Sequence, residues 1–212
     1  MFELIRHEFF IQNKINNLCK YFLIFFLFSL TSITIINPYE KIASFGSVLS
    51  IVLIPLALVG IGANFLKSEI EDGSLELLLT SFMPLQITLA KYVALFLCAA
   101  IGFVFNLLAA WLLFNIAFYS LILIAICGLL LSLLSCAIIL LIAAIQCYFR
   151  NNTNFLSTLL LPLIIPSIIL SGIVVQNSDN YQIILILLGI NMILVPTTIY
   201  LTSYLIANIY NI

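Results

Sequence analysis

Between Lys67 and Glu76 this chain gathers Lys67, Glu69, Glu71, Asp72 and Glu76, a third of its seven basic and eight acidic residues. Carboxylates at that density can do two kinds of work. Paired in a pocket with separated pKa values, they act as general acid and base. Held in water, they grip a soluble partner. The flanking sequence decides between the two. The 212 residues are 65% hydrophobic and 7% charged, against about 25% charged in an ordinary soluble domain. A charged island between long apolar runs projects into water, where no pocket desolvates it. Catalysis is disfavoured, and a gripping role is expected for Glu69, Glu71, Asp72, Gly73, Ser74, Leu75 and Glu76.

Other chemistry is thinly represented. No G-x-x-x-x-G-K-[ST] motif occurs, so the chain has no P-loop, and ATP-driven work would need an ATPase on another polypeptide. Cys19, Cys98, Cys127, Cys136 and Cys147 form no C-x-x-C pair and read as small buried side chains. His7 is the one histidine, so no metal site is expected. A net charge of −1 leaves no electrostatic footprint for nucleic acid. No ionisable residue of the Asp, Glu, Lys, Arg or His type falls at mid-span. A charge there costs roughly 2.5–3.5 kcal/mol on insertion scales and marks ion or proton routes, so its absence argues against a proton-coupled carrier, an ion pump or an intramembrane hydrolase. Asn106 and Asn191 do sit near mid-span and are expected to make interhelical hydrogen bonds.

Unbroken apolar runs of roughly 20 residues are the length of bilayer-crossing helices. An all-α membrane protein with six transmembrane helices is expected: Tyr21–Ile36, Ser44–Leu66, Lys91–Asn115, Tyr119–Phe149, Phe155–Val175 and Tyr181–Ala207. Residues 1–212 are expected to form one transmembrane domain, with a cytoplasmic segment over 1–20 and another over 67–91. The start lacks the form of a signal peptide, since Glu3 and Glu8 precede the first run and no A-x-A site follows it. Basic residues set the orientation. One side collects Arg6, Lys14, Lys20, Lys67, Lys91 and Arg150, and the other only Lys41, which puts both termini and the acidic island in the cytoplasm. The opposite loops, Asn37–Ala43, Asn115–Phe118 and Gln176–Asn180, are too short for a receptor domain.

Within these elements the local signals are specific. Leu4, Ile5, Phe9, Phe10, Ile15 and Leu18 mix with Glu3, Arg6, His7, Glu8, Lys14 and Lys20 as in an interfacial amphipathic helix. Gly73 breaks the chain after span two, Asp72 or Ser74 can cap a new helix, and Pro84 stops it. The expected product is a short surface helix with Leu75, Leu77, Leu78 and Leu79 facing the membrane. Gly128, Ser132 and Cys136 repeat every four residues, a stripe suited to close helix packing. Pro162 and Pro166 share one face of span five and mark a kink that could serve as a gate.

Three stretches carry a family resemblance: Asp72-Gly-Ser-Leu-Glu76 after span two, Leu89-Ala-Lys91 at span three, and Leu160-Leu-Pro-Leu-Ile-Ile-Pro166 in span five. With six spans and an amphipathic N-terminus, the chain resembles haem exporter protein B (CcmB), over nearly its whole length. The resemblance implies an ABC-transporter permease of the c-type cytochrome maturation system. It implies a bacterial inner membrane, or the mitochondrial inner membrane if organelle-encoded. The implied partners are a CcmA-like ATPase, a CcmC-like haem-handling membrane protein, a small CcmD-like protein and the CcmE-like haem chaperone. Asp72–Glu76 would be the coupling helix that meets the ATPase, and haem would be cargo. The residues themselves do not point to haem binding by this chain: His7 reads as a surface residue, Trp111 as an interfacial belt residue, and no tryptophan-rich motif occurs, so axial ligands would come from a partner. Two rival readings remain open. One is an ABC permease for another cargo, such as a lipid-linked glycan or a drug. The other is a non-transporting membrane anchor for an ATPase.

Overall fold

In lipid, a backbone must satisfy its polar groups within itself, and long apolar runs low in breakers do so as helices. The computed structural model describes residues 1–14, 17–36, 42–62, 66–148, 160–176 and 181–209, and every element among them is helical. In chain order these are α1 (Phe2–Lys14), α2 (Leu18–Ile36), α3 (Ile42–Gly62), α4 (Lys67–Glu71), α5 (Ser74–Ser81), α6 (Pro84–Phe114), α7 (Phe118–Tyr148), α8 (Leu160–Gln176) and α9 (Tyr181–Asn208). Ile15, most of the Asn37–Ala43 and Gln176–Asn180 loops, the end of span two, Phe149, Arg150 and the first residues of span five lie outside the described residues.

Among the described residues, three helices are long and apolar enough to cross a membrane: Pro84–Phe114, Phe118–Tyr148 and Gln182–Asn208, or four if α1 and most of α2 are taken together as one bent span. The apolar stretches of α3 and α8, Phe45–Leu58 and Pro162–Gln176, are shorter. Each of the six expected spans overlaps a helix among the described residues, with α2, α3 and α8 running 19, 21 and 17 residues. The largest shift in a boundary is at α6, which starts at Pro84 rather than at Lys91. Proline at the first helical position loses only an N–H that has no intrahelical acceptor, and the Met83 N–H donates to Gln86 Oε1 at 3.4 Å. Pro84 therefore opens this helix instead of only closing the one before it. Asn115 ends α6 with φ 48°, a left-handed state asparagine tolerates.

The helices interlock through rings set over glycines. Phe103 of α6 lies on Gly128 of α7, Phe22 of α2 on Gly102 of α6, and Phe114 of α6 on Gly46 of α3. A Cβ at these glycines would meet ring or side-chain carbon at 2.1, 2.5 and 2.5 Å, respectively. The small-residue stripe of α7 is buried as a whole, with Ser132 Oγ turned back onto Leu129 O at 2.8 Å and Cys136 fully enclosed. Tyr92 of α6 donates its hydroxyl to Leu133 O of α7 at 3.2 Å. Asn106 donates from Nδ2 to Ser50 O of α3 at 3.1 Å, the interhelical bond expected of it. Asn191 instead bonds Leu187 O in its own helix at 2.9 Å. On the outside of α6, Leu97, Ile101, Val104, Phe105, Leu108 and Leu112 are exposed, a face the bilayer must cover.

Ring-on-glycine packing makes a sharp prediction. Gly128→Ala drives a methyl group into the Phe103 ring and should lower stability by about 1–3 kcal/mol, the usual cost of overpacking. Gly189→Ala in α9, where a Cβ meets nothing within 4 Å, should be neutral or slightly stabilising. Thermal unfolding of both variants in nanodiscs checks this, and equal effects would refute it.

Candidate functional site

The acidic island folds as two short helices around one glycine. Gly73 adopts φ 70°, which only glycine reaches without strain, and this separates α4 from α5. Neither Asp72 nor Ser74 caps α5, in contrast to the sequence expectation. Gly73 itself occupies the cap position with no side-chain bond. Ser74 reaches back instead, its hydroxyl donating to Glu69 O at 3.2 Å, so it pins the elbow rather than the helix start. Leu75 is fully buried, and Leu78 and Leu79 pack at the edge of the core. Leu77 is 72% exposed and has little protein cover. Glu71, Asp72 and Glu76 are exposed. Beside them, Phe82, Met83 and Leu85 at the α5–α6 corner are exposed as well. The outward face is therefore an apolar knob rimmed by carboxylates.

Glu69 departs from its neighbours. It points inward to Lys91, whose ammonium is wholly buried and also bonds both carboxylate oxygens of Glu8 at 3.1 and 3.2 Å. Gln12 Nε2 donates to Glu69 Oε1 at 3.2 Å. The triad joins three elements far apart in sequence: α1 through Glu8 and Gln12, α4 through Glu69, and α6 through Lys91. One acid of α1, Glu8, is therefore turned into the bundle, while Glu3 is exposed. The buried stripe of α1 is Leu4, Glu8 and Gln12, while Phe2 and Phe10 are exposed. Lys91, expected as a flanking surface charge, is an internal counter-ion. Burial pushes the Glu69 carboxyl above the usual carboxylate range, the Lys91 charge pulls it down, and the Glu8 charge adds to the upward push; the net direction is up. The exposed Lys67–Glu71 pair at 3.8 Å is a surface pair of the kind that contributes well under about 1 kcal/mol.

The remaining sequence candidates lie elsewhere. Pro162 and Pro166 both sit on the exposed side of α8, away from the triad. Because Pro166 has no N–H, the helix loses its bond to the Pro162 carbonyl. His7 is exposed on α1, and Trp111 is half-exposed near the end of α6. Among the described residues, no group of His, Cys, Asp and Glu could hold a metal ion. Sequence reasoning missed Glu8 and Lys91 as partners. The one available signal was a lone lysine at the head of an apolar helix, which demands a counter-ion if that helix starts early.

A buried cation with two carboxylates is costly to unbalance. Lys91→Met strands both acids and should cost about 3–5 kcal/mol, whereas adding Glu8→Gln and Glu69→Gln to it should restore most of that loss. Chemical denaturation of the single and triple variants reads this directly, and a single variant as stable as the parent would contradict the geometry.

Comparison with known proteins matches this architecture to one family. A model of the CcmB protein family matches residues 1–209. An uncharacterized protein of Rickettsia prowazekii (strain Madrid E) is 41% identical over 212 residues, covering 100% of this chain and 98% of its own. An uncharacterized protein of Rickettsia conorii (strain ATCC VR-613 / Malish 7) is likewise 41% identical, with the same coverage. No solved structure matches. With the family match running from the first helix to the end of the last, the chain belongs to the CcmB family, the haem-exporter membrane subunits of c-type cytochrome biogenesis.

Proposed function

We propose that this chain is the permease subunit of an ABC-type complex that exports haem, or delivers it to a CcmE-like chaperone, with the energy supplied by a separate CcmA-like ATPase. The observation that carries this reading is the two-sided build of the Lys67–Pro84 segment. Its inner side is fixed to the bundle by Leu75 and by Glu69 on Lys91. Its outer side offers Leu77, Phe82 and Met83 among Glu71, Asp72 and Glu76. An apolar knob within an acidic rim fits a cleft with basic edges on a soluble protein. A push on that knob reaches α6 through Lys91 and α1 through Glu8. No step of ATP hydrolysis falls to this chain, which has no P-loop.

In this reading six helices cross the inner membrane, both termini are cytoplasmic, and Asp72–Glu76 is the coupling helix. Spans one, two and five respond to the ATPase stroke, with Pro162 and Pro166 as the flexible point of α8. CcmC-like and CcmD-like membrane proteins complete the assembly. Haem is cargo, and its axial ligands come from those partners, since the single histidine, His7, is exposed on α1.

Two changes test the coupling role. Gly73→Pro removes the left-handed elbow, because proline cannot adopt φ 70°. Glu71→Lys with Asp72→Lys reverses the rim while leaving the triad intact. Each should lower co-purification of the ATPase and its permease-stimulated hydrolysis by about tenfold or more, the size expected when close charge pairs at an interface are lost. Wild-type levels of both in both variants would refute the role.

A further inference from the structure

The basic side chains of this chain divide by use. Lys91 is buried between Glu8 and Glu69, and Lys67 pairs with Glu71. Arg6, Lys14 and Lys20 are exposed, and no salt bridge among the described residues includes them. Arg6 and Lys14 lie on the face of α1 opposite its buried Leu4, Glu8 and Gln12, together with Phe2, His7 and Phe10. The Lys14 ammonium stands 5.6 Å from the centroid of the Phe10 ring. Glu3 is the one carboxylate on that face. The surface is cationic and aromatic at once, the make-up of a segment that rests on anionic headgroups.

A groove begins where the cations end. Lys20 stands in the first turn of α2, and the next residue, Tyr21, opens a cavity of about 410 Å³ lined by Tyr21, Ile24, Phe25, Phe28, Ser29 and Ser32. These residues share one side of α2, while Phe22, Phe26 and Leu30 lock the other side into the core. The wall is apolar and ordered. Tyr21 and Phe25 stack with ring centroids 6.2 Å apart, and the Ser32 hydroxyl donates to Phe28 O at 2.7 Å, which leaves its polar group satisfied within the helix. From Tyr21 to Ser32 the helix rises roughly 16 Å, close to half of the about 30 Å hydrocarbon thickness. The groove is therefore about as long as one leaflet is deep.

We propose that this end of the chain seats one anionic phospholipid, its headgroup phosphate on Lys14 and Lys20 and an acyl chain in the Tyr21–Ser32 groove. Charge and shape select that class together. A zwitterionic lipid fits the groove but brings its own cation to the lysines. A soluble anion matches the lysines but has nothing to place in the groove. Each Lys or Arg close to an anionic membrane surface is worth roughly fivefold in affinity, and Arg6 adds to the attraction from farther along α1. The seat rests neither on the reading of Lys67–Pro84 as a coupling segment nor on which side of the membrane this end faces.

Native mass spectrometry of the full chain in detergent tests the seat, with phosphatidylglycerol or phosphatidylcholine of identical acyl chains added. The wild type should bind its first phosphatidylglycerol roughly tenfold more tightly than phosphatidylcholine. Lys14→Gln with Lys20→Gln should bring that ratio close to one. Ile24→Trp, which fills the groove, should weaken both lipids and keep the ratio. Leu112→Trp, on the exposed side of α6, should change neither. All four altered residues are exposed, so the fold is not at stake. Glycerol phosphate at the concentration of the lipid should displace none of it. Equal binding of the two lipids by the wild type, or a preference that survives loss of both lysines, overturns the proposal and leaves this face to a protein partner. Full binding by Ile24→Trp, or displacement by glycerol phosphate, overturns it as well, because the groove would then hold no chain.

Discussion

The buried ammonium of Lys91 is the constraint around which the charged end of this protein is arranged. An ion of that kind costs several kcal/mol to remove from water unless anions and hydrogen bonds replace its hydration. Glu8 and Glu69 supply them, and each brings a different element. One consequence is that α1 cannot be a loose lead-in to the first apolar helix, since undocking it would leave Lys91 with a single partner. Another is that the acidic island has a fixed inner edge. Its remaining acids, Glu71, Asp72 and Glu76, are then free to face outward. One lysine separates the structural acid from the surface acids in a cluster that looks uniform in the sequence.

Away from that end, steric fit takes over from charge. Phe103 on Gly128, Phe22 on Gly102 and Phe114 on Gly46 bring α2, α3 and α7 close around α6. Packing of this kind suits a bilayer, where apolar contact with lipid and with protein are nearly equivalent and close approach must supply the attraction. Helix α6 is thus read twice, by rings along its length and by the ion triad at its head. The elbow at Gly73 is thereby joined to α6 through Glu69 and Lys91.

Much of this was readable from residue types. The apolar runs gave the helices, because in lipid no other local structure satisfies the backbone. Gly73 announced the elbow, and Gly128, Ser132 and Cys136 announced a packed face. The family was readable from Asp72–Glu76 and the Pro162–Pro166 pair. The triad was not. Glu8 and Lys91 are separated by the second half of α1 and four further described helices, α2 to α5, and nothing in a single sequence pairs them. Glu8 reads in the sequence only as one charge among several on an amphipathic segment, and residue type does not say which way it turns. The start of α6 was misplaced for the same reason: a lysine reads as the edge of a span, whereas here the helix had already begun at Pro84.

The most direct measurement is proximity of α1 to α4 in the membrane. Gln12 and Glu69 are hydrogen-bonded neighbours, so cysteines at these two positions, in a chain whose native cysteines are replaced by alanine, should form a disulfide under mild oxidation. A Gln12–Glu76 pair, with Glu76 on the outward face, should not. Mass spectrometry of the digested chain identifies the cross-link. Efficient bridging of positions 12 and 69 alone is the predicted result. Equal bridging of both pairs, or of neither, would contradict the docking of the acidic segment on Lys91.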